Sequence, residues 1–126
     1  MSPATKIMVV DDEEMVRILI QKALREAGYE TISAASGEEA LQKLSQPPEE
    51  RPALVLLDIM MPGMSGIEVL KAMRERFDLP VIMVSGQHDV NTMSETLNLG
   101  ADDFLKKPFR TAELIGRVKA KLRRAT

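Results

Sequence analysis

Three short, unbroken apolar runs, Ile7–Val10, Ala53–Leu57 and Val81–Val84, limit what this chain can fold into more than any other feature. A run that is apolar at every position has no wet face. Each therefore predicts a strand covered on both sides, as in a parallel sheet held between two helix layers. Tyr29–Ala34 is a weaker strand in which Thr31 and Ser33 alternate with Ile32, as suits a sheet edge, and Asp103–Lys106 is a short fifth.

The intervening segments change period. Val16, Leu19, Ile20, Ala23, Leu24 and Ala27 fall on one helical stripe that stops at Gly28. Ser36-Gly37-Glu38-Glu39 and Ser65-Gly66-Ile67-Glu68 have capping-box spacing and introduce two more helices. Val90, Met93 and Leu97 suggest a fourth ending at Gly100, and Thr111 is placed to cap a fifth whose face carries Leu114, Ile115, Val118 and Leu122. Strand and helix alternate five times, which predicts an α/β fold: an open, doubly wound, five-stranded parallel sheet of (βα)5 type with helices on both faces. The proline-rich stretch 47–52 reads as a loop, and 126 residues suffice for one domain. Residues 1–5 read as an N-terminal extension, and residues 124–126 as the C-terminal end or the start of a linker to an output domain.

Charge and composition narrow the function. Seventeen Lys+Arg against nineteen Asp+Glu give a net charge of −2, so no global field draws the chain to nucleic acid or anionic lipid. Zero cysteines exclude disulfide scaffolds and thiolate metal sites. No apolar run approaches the ~20 residues of a membrane span and the N-terminus is no signal peptide, so a cytoplasmic location is expected.

Ligands of open α/β sheets bind beyond the carboxyl ends of the strands. Here those ends carry Asp11-Asp12-Glu13-Glu14, Asp58, Ser85 and Lys106-Lys107-Pro108. Two carboxylates ~4 Å apart repel by about 4 kcal/mol at an effective dielectric near 20, and a hard divalent cation relieves that conflict. Oxygen donors without His or Cys favour Mg²⁺ over zinc. A hydroxyl and an ammonium at neighbouring strand ends suit the oxygens of a phosphate, and a carboxylate can itself be the nucleophile in an aspartyl-phosphate.

The stretches VVDDE (Val9–Glu13), LVLLDIMMPGMSG (Leu54–Gly66), PVIMVSG (Pro80–Gly86) and GADDFLKKPF (Gly100–Phe109) resemble the receiver domain of two-component response regulators, close to the single-domain chemotaxis regulator, over nearly the whole chain. The resemblance implies a flavodoxin-like strand order 2-1-3-4-5. It implies that Asp58 accepts a phosphoryl group from a phosphohistidine on a sensor histidine kinase or phosphotransfer protein. Asp12, Asp58 and the backbone carbonyl of Met60 would bind Mg²⁺, with Asp11 acting through water. Ser85 and Lys107 would hold phosphoryl oxygens, aided by a cis Lys107–Pro108 bond. Phe104 would be the switch aromatic, turning inward as Ser85 moves, and the signal would leave through the fourth helix, fifth strand and fifth helix. That same face would serve a downstream protein, a fused output domain or a phosphorylation-dependent homodimer. Ser85 stands for the more usual Thr and Phe104 for the more usual Tyr. Met60 and Gln87 would tune phosphoryl lifetime.

Other residues have plainer readings. Asp12 is also placed to cap the first helix. Asp102-Asp103 precede the fifth strand and read as solvated surface on the opposite rim, and His88 as exposed loop. Met60, Met61 and Met64 read as loop and core filler, and Lys119, Lys121, Arg123 and Arg124 as cations suiting the negative end of the last helix. Competing functions are an Mg²⁺-dependent Asp-nucleophile phosphatase, a flavin binder of the same architecture and a phosphate-independent adaptor. The first lacks Asp-x-Asp and room for a cap. In the second, Asp11-Asp12-Glu13-Glu14 would repel the flavin phosphate. The third tends to have lost one of the site residues, all of which are present here.

Overall fold

The computed structural model describes residues 4–86 and 90–125. Strands β1 (Lys6–Val10), β2 (Glu30–Ala34), β3 (Leu54–Asp58), β4 (Val81–Ser85) and β5 (Asp103–Lys106) alternate with helices α1 (Glu14–Glu26), α2 (Gly37–Leu44), α3 (Gly66–Arg74), α4 (Val90–Asn98) and α5 (Thr111–Ala125). The strands are all parallel, in the order β2-β1-β3-β4-β5. The predicted (βα)5 flavodoxin-like architecture and its strand order are therefore observed, with Asp58 and Ser85 as the last residues of their strands.

Alternation along the strands splits the core into two layers. Met8, Val10, Val55, Leu57, Val81 and Met83 face α2 and α3, where Leu44, Val69, Leu70 and Met73 are buried. Ile7, Val9, Leu54, Leu56, Ile82 and Val84 face the other way, toward Ile20 and Leu24 of α1 and Leu114 and Val118 of α5. A one-residue slip in any central strand would exchange the two layers, so the register is strongly specified.

The helix ends refine the sequence reading. Ser65 accepts from the Glu68 N–H while the Glu68 carboxylate accepts from the Ser65 N–H, a complete capping box. At α2 only half of that exchange forms: Ser36 caps the Glu39 N–H, but the Glu39 carboxylate takes the Ala35 N–H instead. Thr111 does not cap α5. It is the first helical residue, and the carbonyl of Arg110 accepts the opening hydrogen bonds from Glu113 and Leu114. Gly28 turns the chain out of α1 with a φ of 98°, where a Cβ would be strained.

Two predicted stripes were read too broadly. In α1, Ile20 and Leu24 are buried, but Leu19 is 52% exposed, with Ile18 at 50% and Met15 at 76% beside it. In α4, Leu97 is exposed, whereas Thr96 is fully buried and satisfies its hydroxyl on the Met93 carbonyl. A hydroxyl that bonds back to its own helix needs no outside partner, so it can enter the core. No helix among the described residues is long and apolar enough to cross a membrane.

Candidate functional site

Parallel pairing brings the carboxyl ends of β1, β3, β4 and β5 to one rim. Asp11 directly follows β1 and Asp58 is the last residue of β3, so their carboxylates begin where the apolar core stops, at 2% and 4% exposure. Asp12, one residue on, is exposed. One ligand atom from each of Asp11, Asp12 and Asp58 lies within 4.8 Å of the others.

Lys107 reaches in from the segment after β5, across a cis peptide bond to Pro108. Its Nζ donates to Asp11 Oδ2 at 2.8 Å and lies 3.5 Å from Asp58 Oδ2. The other oxygen of Asp11 accepts the Glu13 N–H at 2.9 Å, and Asp58 Oδ1 accepts the Met60 N–H at 3.3 Å. Asp11 thus serves the entry to α1, and Asp12 makes no capping bond there, contrary to expectation.

Burial pushes the Asp58 carboxyl up to about 6, because desolvation penalises its charged form; the nearby Lys107 ammonium opposes that rise and the Asp11 carboxylate adds to it. For Lys107, burial acts downward, but the hydrogen bond to Asp11 and the charge of Asp58 outweigh it, leaving its pKa above the ordinary lysine value. Among the described residues, one ammonium pairs with two of the three clustered carboxylates. An all-oxygen donor set with that surplus of negative charge fits a hard divalent cation.

Ser85 is fully buried at the end of β4, opposite Lys106 in β5, and its carbonyl accepts the Lys107 N–H at 2.9 Å. The hydroxyl-bearing residue is therefore tied by backbone to the lysine segment. Phe104 pairs in register with Met83 and is buried in the core layer that carries α2 and α3. Gln87 and His88 lie outside the described residues.

Several supports were not read from the sequence. Arg17 donates to the Asp11 carbonyl at 2.7 Å, fixing the acidic loop from the first turns of α1. Its signal was an Arg one turn beyond an acidic pair. Gly66 packs against the backbone that carries the acceptor: a Cβ there would overlap the Asp58 carbonyl oxygen and the Ile59 Cα. Met60 is 61% exposed, not core filler, whereas Met61 is buried at 8%. With Met15 it gives the acidic rim apolar neighbours.

Asp102 and Asp103 are not merely solvated surface. Asp102 accepts from Val81 N at 2.8 Å and Arg74 Nη2 at 3.1 Å, and Asp103 pairs with Arg117 at 2.8 Å. Lys121 of α5 also lies 3.9 Å from Asp103, so the helix dipole alone does not account for it.

The response regulator receiver domain model matches residues 7–119. A CheY-like receiver domain protein from Methanospirillum hungatei JF-1 superposes with a TM-score of 0.90 at 32% identity, covering 98% of this chain and 97% of that one. The receiver domain of Francisella response regulator 1452 gives 0.90 at 33%, covering 97% and 99%. NtrX from Brucella abortus gives 0.87 at 33%, covering 98% of this chain but 28% of its own. The alternating strands, the acidic rim and these matches agree: the chain belongs to the response regulator receiver domain family.

Proposed function

We propose that this receiver accepts a phosphoryl group onto Asp58 from a phosphohistidine on a sensor histidine kinase or phosphotransfer protein, and that it works as a cytoplasmic switch, not a turnover enzyme. The observation that carries the reading is Asp58 itself: a buried carboxylate at a strand end, with an ammonium 3.5 Å away and two further acids beside it.

Asp12, Asp58 and the Met60 carbonyl would hold Mg²⁺, with Asp11 acting through water. When bound, that ion supplies positive charge which lets the acids and the phosphoryl oxygens share one site. At pH 7 Asp58 stands above its value of about 6 and is mainly ionised, so an oxygen lone pair is available for attack. That oxygen forms a bond to phosphorus as the phosphorus–nitrogen bond to imidazole breaks. The electron pair leaves on the imidazole nitrogen. Lys107 pairs with a phosphoryl oxygen and gives up part of its hold on Asp11, while Ser85 donates to another. Asp58, Lys107 and Ser85 are thus the reacting set, and they catalyse only gain and loss of the domain's own phosphoryl group.

Ser85 and Phe104 form the switch. Motion of the β4 end toward the phosphate is passed to Phe104, one strand over, and changes the α4–β5–α5 face. With no phenolic hydroxyl, Phe104 biases the two states through apolar burial alone. That face serves a downstream protein, a fused output domain or a phosphorylation-dependent homodimer. The chain acts as one receiver unit with no direct role in nucleic acid or membrane binding. Exposed Met15, Ile18, Leu19 and Met60 offer apolar contact to the phosphodonor beside the acids.

Intact mass after incubation with acetyl phosphate tests the reading. The expected result is an acid-labile adduct that needs Mg²⁺ and is absent from Asp58→Asn. No adduct under any condition, in a folded chain, would leave a phosphate-independent adaptor. An adduct at full yield on Asp58→Asn would remove Asp58 as acceptor.

A further inference from the structure

The opposite pole of the sheet carries a second constellation. Phe77, just after α3, is nearly buried, and two guanidinium groups share its ring: Arg51 at 4.9 Å from the centroid and Arg76 at 5.0 Å. Attraction to the ring quadrupole helps hold each cation. Neither has a carboxylate in ion-pair range among the described residues, whereas Arg74 and Arg117 both do.

Their hydrogen-bonding capacity is largely unspent. A guanidinium has five N–H donors. Arg51 directs only its Nε, toward the carbonyls of Leu44 and Gln46, and Arg76 only Nη1, toward the Ser45 hydroxyl at 3.1 Å. Both line a cavity of about 460 Å³ whose apolar wall includes Leu79, Pro80 and Leu122. Asp78 also lines it without an ion pair to either arginine, and its carboxylate repels the anionic end of a ligand.

We propose that this cavity is a binding site for a small organic oxyanion, a carboxylate or phosphate carried on an apolar body. The anionic end takes the free N–H donors of Arg51 and Arg76, in the forked geometry guanidinium offers to such groups, and the body lies on the Leu79–Pro80–Leu122 wall. The site lies at the amino ends of β3 and β4, away from the acidic rim, and stands whether or not Asp58 takes a phosphoryl group.

Titration of the ¹⁵N-labelled chain with phenyl phosphate and, separately, inorganic phosphate, both in EDTA, tests it. The expected result is saturable amide shifts at Phe77, Leu79 and Leu122, with phenyl phosphate at least about fivefold tighter than inorganic phosphate. Arg76→Gln, an exposed position, should weaken phenyl phosphate about tenfold with the spectrum otherwise unchanged. Arg51→Gln should do the same and tests the second cation, although it also removes bonds to the end of α2. Shifts confined to the acidic rim, equal affinity for the two probes, no saturation by about 50 mM, or unchanged binding by Arg76→Gln would each overturn the assignment.

Discussion

The two ends of the β4–β5 pair both set an acid against a base, to opposite effect. At the amino end, Arg74 donates to the carbonyls of Gly100 and Leu79 and to Asp102, while Asp102 also takes the Val81 N–H. One cation meets one carboxylate, and neighbouring carbonyls use the remaining donors. At the carboxyl end, Lys107 is the one cation among the described residues that pairs with the cluster of Asp11, Asp12 and Asp58, and it reaches only Asp11 and Asp58. The first arrangement is complete and fastens α3 to the start of β5. The second is short of positive charge and destabilised by burial. The ratio of charges, more than the residue types, separates a fastener from a site.

Substitutions at either end test that contrast. The largest effect is expected from Gly66→Ala, whose new Cβ collides with the backbone beneath Asp58; it should cost about 2–4 kcal/mol in urea unfolding and slow labelling by acetyl phosphate. Arg74→Ala should cost about 2–3 kcal/mol, because it strands several acceptors at once, while leaving acetyl phosphate labelling intact. Loss of labelling equal to that of Asp58→Asn would merge the two ends.

Asp58→Asn should instead stabilise the metal-free chain at pH 7, by on the order of 1–2 kcal/mol. The sign follows from the raised pKa: between about 4 and about 6 the folded state holds a proton that the unfolded state has lost, so this group's contribution to stability is fully present below about 4 and is lost as pH rises through about 6. The variant should show no such fall, and the gap between the two should close at pH 4 and on adding Mg²⁺. A parent-to-variant gap that fails to widen as pH rises across that window would overturn the electrostatic account. The smallest effect is expected from Arg117→Gln: its pairs with Asp103 and Glu113 are partly exposed, and loss of less than about 1 kcal/mol should result.

Legibility followed the range of the interactions. The three central strands were readable because burial on both faces forces every position to be apolar, and a strand end then marks where Asp11 and Asp58 must emerge. Stripe reading failed where a helix has spare apolar residues: Leu19 fits the period of α1 and is still half exposed. The Arg74–Asp102 fastener was invisible because its partners are 28 residues apart and Arg74 lies in no recognisable motif, so nothing marks it as the partner of Asp102. Arg17 was missed for a different reason. It bonds a backbone carbonyl, and an Arg one turn beyond an acidic pair does not by itself name that partner.

The outer strands of the sheet carry one more consequence. β2 begins at Glu30 and shows Thr31 and Ser33 along its length, and β5 has only four residues, from Asp103 to Lys106. Short, charged borders resist the addition of a foreign strand, which would desolvate those groups. A binding partner gains little by lending backbone to this sheet. Recognition is thereby directed to side chains on helices and loops, where specificity can differ between closely similar siblings while the shared framework stays unchanged.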